Sequence, residues 1–170
     1  MLEIEAKARI DSLKLVEKRI IDLGAVFHRE VIENDTYYNH PCRDFSKTDE
    51  ALRIRKSQGV YELTYKGQKI DSLTKTRSEH TVEIKNPSDA SQIIESLGFE
   101  RVASVNKKRR YFKLERYEIM LDNVDGLGTF MEVETSGNYS PDKLLNFIHT
   151  LGIEETETKS YLELLLEKQK

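Results

Sequence analysis

The 170-residue sequence has one cysteine, no tryptophan, three prolines and eight glycines. Cys42 has no second cysteine with which to form an internal disulfide and cannot build a thiolate zinc cage. The four histidines, His28, His40, His80 and His149, lie far apart along the chain, so no structural zinc site is expected. No stretch approaches the roughly 18 apolar residues that span a bilayer. The opening, MLEIEAKARI, alternates and carries acids where a secretory leader would be basic and then apolar; it points to the cytoplasm. No Ser/Gly-rich linker, low-complexity tract or internal repeat interrupts the chain, so it reads as a single domain over 1–170, large enough to build a core without disulfides. The 27 basic and 30 acidic residues leave a net charge of −3 and no general attraction to nucleic acid or anionic lipid. Any anion site must therefore be local.

What the chain does have is alternation. Leu2, Ile4, Ala6, Ala8 and Ile10 fall on one side of an extended segment and Glu3, Glu5, Lys7 and Arg9 on the other, the period of a strand. From Ser12 the apolar spacing becomes helical through Leu13, Val16, Ile20, Ile21 and Leu23, opened by Asp11 or Ser12 as cap and closed by Gly24. Val26 to Tyr38, rich in β-branched and aromatic residues, predicts a long strand ending at His40-Pro41, followed by a polar loop over 42–50. Ala51 to Lys56 and Val60 to Lys66 predict a hairpin about Ser57-Gln58-Gly59. After a loop over 67–74, a strand is expected from Lys75 to Lys85, then a helix opened by Pro87-Ser88-Asp89 and closed by Gly98. Strands are expected at about 101–115, 116–124 and 129–135, then a helix from Ser140-Pro141-Asp142 to Gly152 and a last one over Tyr161 to Glu167. That gives an α+β chain of about eight mainly antiparallel strands and four helices; so many strands in so short a chain form a sandwich or a closed barrel, with helices covering the apolar outside.

The polar sides of these strands are not the mixture of Lys, Glu, Thr, Ser and Gln usual on a solvated face. Lys7, Arg53, Arg55, Lys66, Arg77, Lys107 and Arg109 supply seven cations, while Glu3, Glu5, Asp122, Glu132 and Glu134 gather carboxylates on the first and the last two strands. Arginine forks suit phosphate oxygens, and several of them on one surface repel each other unless an anion lies between them. The carboxylates are hard oxygen donors that suit Mg²⁺ or Mn²⁺ better than zinc. The sorting points to a metal-dependent triphosphate site. Lys108 and Arg110 alternate onto the opposite face, which divides the run Lys107 to Arg110 and argues against a nucleic-acid patch; Arg9 and Lys113 are also left out of the site. Tyr37, Tyr38 and Tyr65 read as core before they read as base-stacking platforms, Glu62, Glu79 and Glu83 as ion-pair partners, and Cys42 carries no function.

Taken together these segments resemble the CYTH superfamily of triphosphate tunnel metalloenzymes. Glu3-Ile4-Glu5-Ala6-Lys7 is similar to its Glu-x-Glu-x-Lys opening. Leu52 to Arg55, Leu63 to Gly67, Thr76 to Glu79, Lys107 to Tyr111, Leu121 to Glu134 and Ser160 to Leu165 follow in family order, across essentially the whole chain. The Ala51 to Arg55 run and the stretch from Asp122 to Glu134 most resemble the class IV adenylyl cyclase branch. The resemblance implies an eight-stranded antiparallel barrel whose charged lumen is the active site. It implies divalent metal, Mg²⁺ or Mn²⁺ and two ions, on Glu3, Glu5, Asp122, Glu132 and Glu134. It implies phosphate contacts from Lys7, Arg53, Arg55, Lys66, Arg77, Lys107 and Arg109, with Glu3, Glu5, Lys7 and Glu132 at the chemistry.

The expected reaction is cyclisation of ATP to cyclic AMP and pyrophosphate, with no Ser, His or Cys nucleophile. The alternative is a triphosphatase acting on tripolyphosphate, thiamine triphosphate or a nucleotide. A non-catalytic polyphosphate-binding protein is the third reading, and five retained acids argue against it. The cyclase branch also implies a homodimer, and no nucleic-acid or membrane partner is expected.

Overall fold

The computed structural model describes residues 2–68, 77–136 and 140–169, and of Leu2, Glu3, Ser136 and Pro141 the backbone. In chain order the elements are β1 (Leu2–Arg9), α1 (Leu13–Asp22), β2 (Val26–Asn39), α2 (Phe45–Thr48), β3 (Ala51–Ser57), β4 (Val60–Lys66), β5 (Arg77–Glu83), α3 (Pro87–Ser96), β6 (Glu100–Leu114), β7 (Tyr117–Val124), β8 (Gly128–Ser136), α4 (Pro141–Thr150) and α5 (Tyr161–Lys168). The expected start of the fifth strand, residues 75–76, lies outside the described residues.

Local chemistry accounts for the boundaries. Ser12 caps α1 by accepting from the Leu15 N–H at 3.3 Å, and Val16 and Ile20 form its buried face. Asn86 caps α3 through the Ser88 and Asp89 N–H groups, with Pro87 in the first turn where no donor is needed. The β3–β4 hairpin turns on Gln58 and Gly59, both at positive φ (49° and 83°), the pair of left-handed residues that a tight two-residue hairpin requires. The helix α2 falls in the segment expected as loop. At four residues it is too short to show an apolar period, and its signal is Asp44, whose carboxylate accepts from the Ser46 N–H at 3.1 Å.

Every strand pair is antiparallel, in the ring order β1-β5-β4-β3-β2-β6-β7-β8. Among the described residues β1 and β5 pair at Leu2↔Ser78 and Glu3↔Arg77, and β1 and β8 pair over seven positions. The expected eight-stranded antiparallel barrel is what the structure shows: a curled sheet whose ends are joined through β1 and β5.

The sheet is apolar outside and charged inside. Ala6, Ala8, Ile119, Leu121, Met131 and Val133 face outward and pack under Val16 and Ile20 of α1 and Leu144 and Ile148 of α4. Ile94 of α3 covers Tyr38 and Ile54. α5 lies across one end of the lumen, where Tyr161 packs on Val105, Val124 and Phe130. Among the described residues no helix is long and apolar enough to cross a membrane.

Candidate active site

Because successive side chains alternate across a strand, one face of each strand points into the lumen. The lumen holds a cavity of about 730 Å³. Its two walls differ in charge.

On the β3–β2–β6 wall, register sets acids against bases. Asp35 of β2 stands directly opposite Arg55 of β3, and Glu33 directly opposite Lys107 of β6. Arg55 lays its fork on Asp35, Nε to Oδ1 at 2.7 Å and Nη2 to Oδ2 at 2.8 Å, and reaches Glu33 at 2.9 Å through Nη1. Lys107 Nζ lies 2.9 Å from Glu33 and 3.3 Å from Asp35, and Arg53 lies 3.6 Å from Asp35. The Tyr111 hydroxyl donates to the other Glu33 oxygen at 2.8 Å. Burial alone would raise the Glu33 carboxyl, but Lys107, Arg109 and Arg55 outweigh it and hold the group down to about 2. Burial likewise opposes ionisation of Asp35, and Lys107 and Arg53 overcome it, leaving Asp35 far below the usual carboxylate range. Lys107 is pushed below the ordinary lysine value, chiefly by burial and with Arg109 and Arg55 adding to it, against the support of Asp35 and Glu33.

The β1–β8–β7 wall is acidic. Glu5, Glu132, Glu134 and Glu118 line the cavity, and the register places Glu134 directly between Glu5 and Glu118, with Glu132 opposite Lys7. Arg109 joins the walls at depth. It forks onto Asp122 at 2.7 and 2.5 Å and also contacts Glu132. The Tyr161 hydroxyl donates to Asp122 at 2.7 Å; burial, reinforced by Glu132 and Asp122, holds its proton well above the usual tyrosine range.

Of the residues expected at the site, Glu5, Glu132, Glu134, Arg53, Arg55, Lys66, Arg77, Lys107 and Arg109 all line this one cavity. Lys66 pairs with Glu79, and Arg77 donates to the Asp49 carbonyl at 3.3 Å. Lys7 and Asp122 are buried under α5 rather than in the cavity lining. Lys7 donates to the Lys159 carbonyl, with its ammonium 4.2 Å from the centre of the Tyr161 ring. The Glu3 side chain lies outside what is described; its backbone pairs with Arg77 and Ser136. The residues set aside stand elsewhere: Lys108 pairs with Glu30 and Arg110 with Glu17 on the outer surface, while Arg9 donates to the Leu127 carbonyl at 2.7 Å. Tyr38 packs with Ile54 and Ile94 and donates to Ser91, and Tyr65 donates to Glu50 at 2.5 Å.

Sequence reasoning missed Glu33 and Asp35. Their signal was the alternation Val31, Glu33, Asp35, Tyr37 along β2, obscured because two of the four inward positions are apolar or aromatic. Tyr161 was read only as the start of a helix.

A divalent ion suits the acidic wall by donor chemistry, since carboxylate oxygens are the ligands that Mg²⁺ and Mn²⁺ prefer. Among the described residues no three acids already converge at coordinating distance, and Asp122 is engaged by Arg109 and Tyr161.

The CYTH domain family matches residues 1–161. A Methanocaldococcus jannaschii protein provisionally named an adenylate cyclase is 39% identical over 96% of this chain and 98% of its own. A solved structure of a Pyrococcus horikoshii protein superposes with a TM-score of 0.89 at 43% identity, over 98% of this chain and 99% of that one. A Hippeastrum protein provisionally called an adenylyl cyclase, and reported with a dominant triphosphatase activity, shares the fold at a TM-score of 0.69. It is 20% identical, over 98% of this chain and 96% of that one.

Proposed function

The chain belongs to the CYTH family, whose members act on triphosphates with the help of divalent metal ions, and from that premise we propose that it is a class IV adenylyl cyclase-like enzyme, converting ATP to cyclic AMP and pyrophosphate. The observation that carries the reading is a single cavity of about 730 Å³ that unites the basic and acidic walls with an apolar lining of Phe45, Val102, Leu162 and Leu166. Sites of some 300–1,000 Å³ accommodate ligands of nucleotide size. A bare polyphosphate would use the charged walls alone; the apolar lining gives a nucleoside somewhere to rest. The name of the 39%-identical relative supports the same branch.

In this reading Arg53, Arg55, Lys107 and Arg109 grip the phosphates, with Lys66 and Arg77 further along the lumen. Glu5, Glu132 and Glu134 hold Mg²⁺ or Mn²⁺; when bound, the ion supplies charge neutralisation at the phosphates and acidifies the attacking hydroxyl. The 3′-oxygen of ATP forms a bond to the α-phosphorus as the α–β bridging bond breaks. The cations stabilise the charge that builds on the departing pyrophosphate. The hydroxyl proton passes to a cavity carboxylate.

Incubating the protein with ATP and Mn²⁺ or Mg²⁺, and separately with tripolyphosphate and thiamine triphosphate, and resolving the products by chromatography tests this. Cyclic AMP and pyrophosphate, lost in Glu5→Gln, are expected. Orthophosphate in their place would overturn cyclisation in favour of hydrolysis, the activity reported for the Hippeastrum protein. Tight binding without turnover would indicate a binding protein.

A further inference from the structure

Four inward cations on β3 and β6, Arg53, Arg55, Lys107 and Arg109, crowd one side of the lumen, and side chains so long and so alike in charge would splay apart in an otherwise empty tunnel. Between them runs β2, and it carries the two acids that the proposed chemistry does not use. Glu33 and Asp35 are almost wholly buried, at 2% and 1% exposure. Each touches cations from both neighbouring strands: Arg55 reaches Asp35 and Glu33, and Lys107 reaches Glu33 and Asp35, at 2.7 to 3.3 Å. Arg53 approaches Asp35 from further along β3 at 3.6 Å. Tyr111 donates to Glu33 at 2.8 Å, fixing the rotation of that carboxylate.

We infer that Glu33 and Asp35 are positioning residues: a cross-brace on β2 that holds Arg53, Arg55 and Lys107 at a fixed spacing, so that incoming phosphate oxygens meet donors already aimed. The inference rests on the triphosphate reading above. Arg55 shows the logic most plainly. Its Nε and Nη2 are committed to Asp35 and its Nη1 to Glu33, so the guanidinium plane is set by β2 rather than by a ligand, and its remaining N–H bonds have a defined direction. Lys107 has no planar fork, and two carboxylates from one strand do for it what geometry does for arginine. Preorganised donors cost no reordering at the moment of reaction, so the brace acts on the transition state more than on binding.

This gives the inference a signature distinct from a fold-stabilising ion pair. Asp35→Asn and Glu33→Gln keep size and remove charge. Neither variant removes a cation, and each makes the wall more positive, so affinity for an anion is retained. Tripolyphosphate binding is measured by titration calorimetry at pH 7, kcat and KM with ATP and Mn²⁺, and folding by thermal denaturation. The expected result is a tripolyphosphate Kd equal to or below that of wild type, with kcat reduced about 10- to 100-fold, the usual cost of removing a group that orients a functional side chain. Turnover unchanged within twofold in both variants overturns the inference, as does binding lost in step with kcat. Glu33→Gln retains Asp35 as a brace, so unfolding of both variants would overturn the inference in favour of a purely structural role. A wild-type protein that does not bind tripolyphosphate defeats the functional reading and this one with it. One that binds it but releases orthophosphate leaves the brace testable on that product.

Discussion

The two walls of the lumen differ in charge and in the neighbours that strand register gives their charged side chains. On β3–β2–β6 the directly opposed pairs are Asp35 with Arg55 and Glu33 with Lys107, unlike charges throughout. On β1–β8–β7, Glu134 faces Glu5 on one side and Glu118 on the other. Opposed unlike charges contribute up to about 1 kcal/mol, and like charges destabilise by similar amounts. The basic wall is thus complete before any ligand arrives. The acidic wall concentrates negative charge, and it is the side that gains from a divalent cation. One wall sets unlike charges against each other in fixed geometry, and the other sets carboxylates side by side.

The sharpest way to break this contrast is on the acidic wall. Glu132→Gln removes a cavity carboxylate that also contacts Arg109, and turnover of ATP is expected to fall by more than about 100-fold, beyond the range typical of supporting groups. Mn²⁺ titration followed by electron paramagnetic resonance should show the loss of affinity directly. A fall below tenfold with unchanged Mn²⁺ binding would remove this acid from the metal site. On the basic wall, Arg55→Lys keeps charge and loses the fork, and hydrogen bonds to charged groups of about 1.5–3 kcal/mol translate to a rise in KM of about 10- to 150-fold. A KM and a kcat that both stay put would mean that charge alone suffices there and that the fixed geometry is idle.

The basic wall should also betray itself in acid. Glu33 is held down to about 2 in the folded protein against an ordinary 4.5. A lowered carboxyl stabilises the fold above its unfolded value and ceases to do so as pH falls through its folded one. The contribution, on the order of 3 kcal/mol, is present above pH 4.5 and lost between there and pH 2. Urea unfolding at pH 7, 4.5, 3 and 2 should show the decline in wild type, and Glu33→Gln should flatten it. An equal slope in both proteins would assign the acid sensitivity to other carboxylates.

The sequence made the second wall far more legible than the first. Glu5, Glu132 and Glu134 sit in strands with strict alternation, where every outward neighbour but Thr135 is apolar, so polarity names the inward side. In β2 the inward row mixes Val31, Glu33, Asp35 and Tyr37 while the outward row includes Asn34 and Thr36; the hydrophobic period is diluted on both sides and the acids do not stand out. The hairpin about Gln58 and Gly59 was readable because backbone sterics demand such residues. α2 was not readable, being a single turn set by one cap. The register that joins β1 to β5 depends on shear around the whole ring, a global quantity that no local pattern encodes. The same limit explains Lys7: alternation gives its side of the strand, but only the path of residues 154–168 over the barrel end decides that its ammonium meets the Lys159 carbonyl.

The smallest predicted effect lies where the walls meet. Asp122 receives the Arg109 fork and the Tyr161 hydroxyl, so its carboxylate is shared between the basic wall and the helix that closes the lumen. Tyr161→Phe deletes one hydroxyl and keeps the ring that packs edge-on against Phe130 at 5.0 Å and lies under Lys7. The loss is one hydrogen bond to a charged acceptor, about 2 kcal/mol, or some 4–8 °C in Tm for a chain of this length. The contrast between the walls sets the expected kinetics. If Asp122 serves mainly to anchor Arg109, its fork persists and KM for ATP stays within about twofold. If Asp122 belongs with the acids that take the metal, freeing one of its oxygens tightens Mn²⁺ binding while Tm falls. Scanning calorimetry and a Mn²⁺ titration on this single variant therefore decide to which wall the deepest carboxylate belongs.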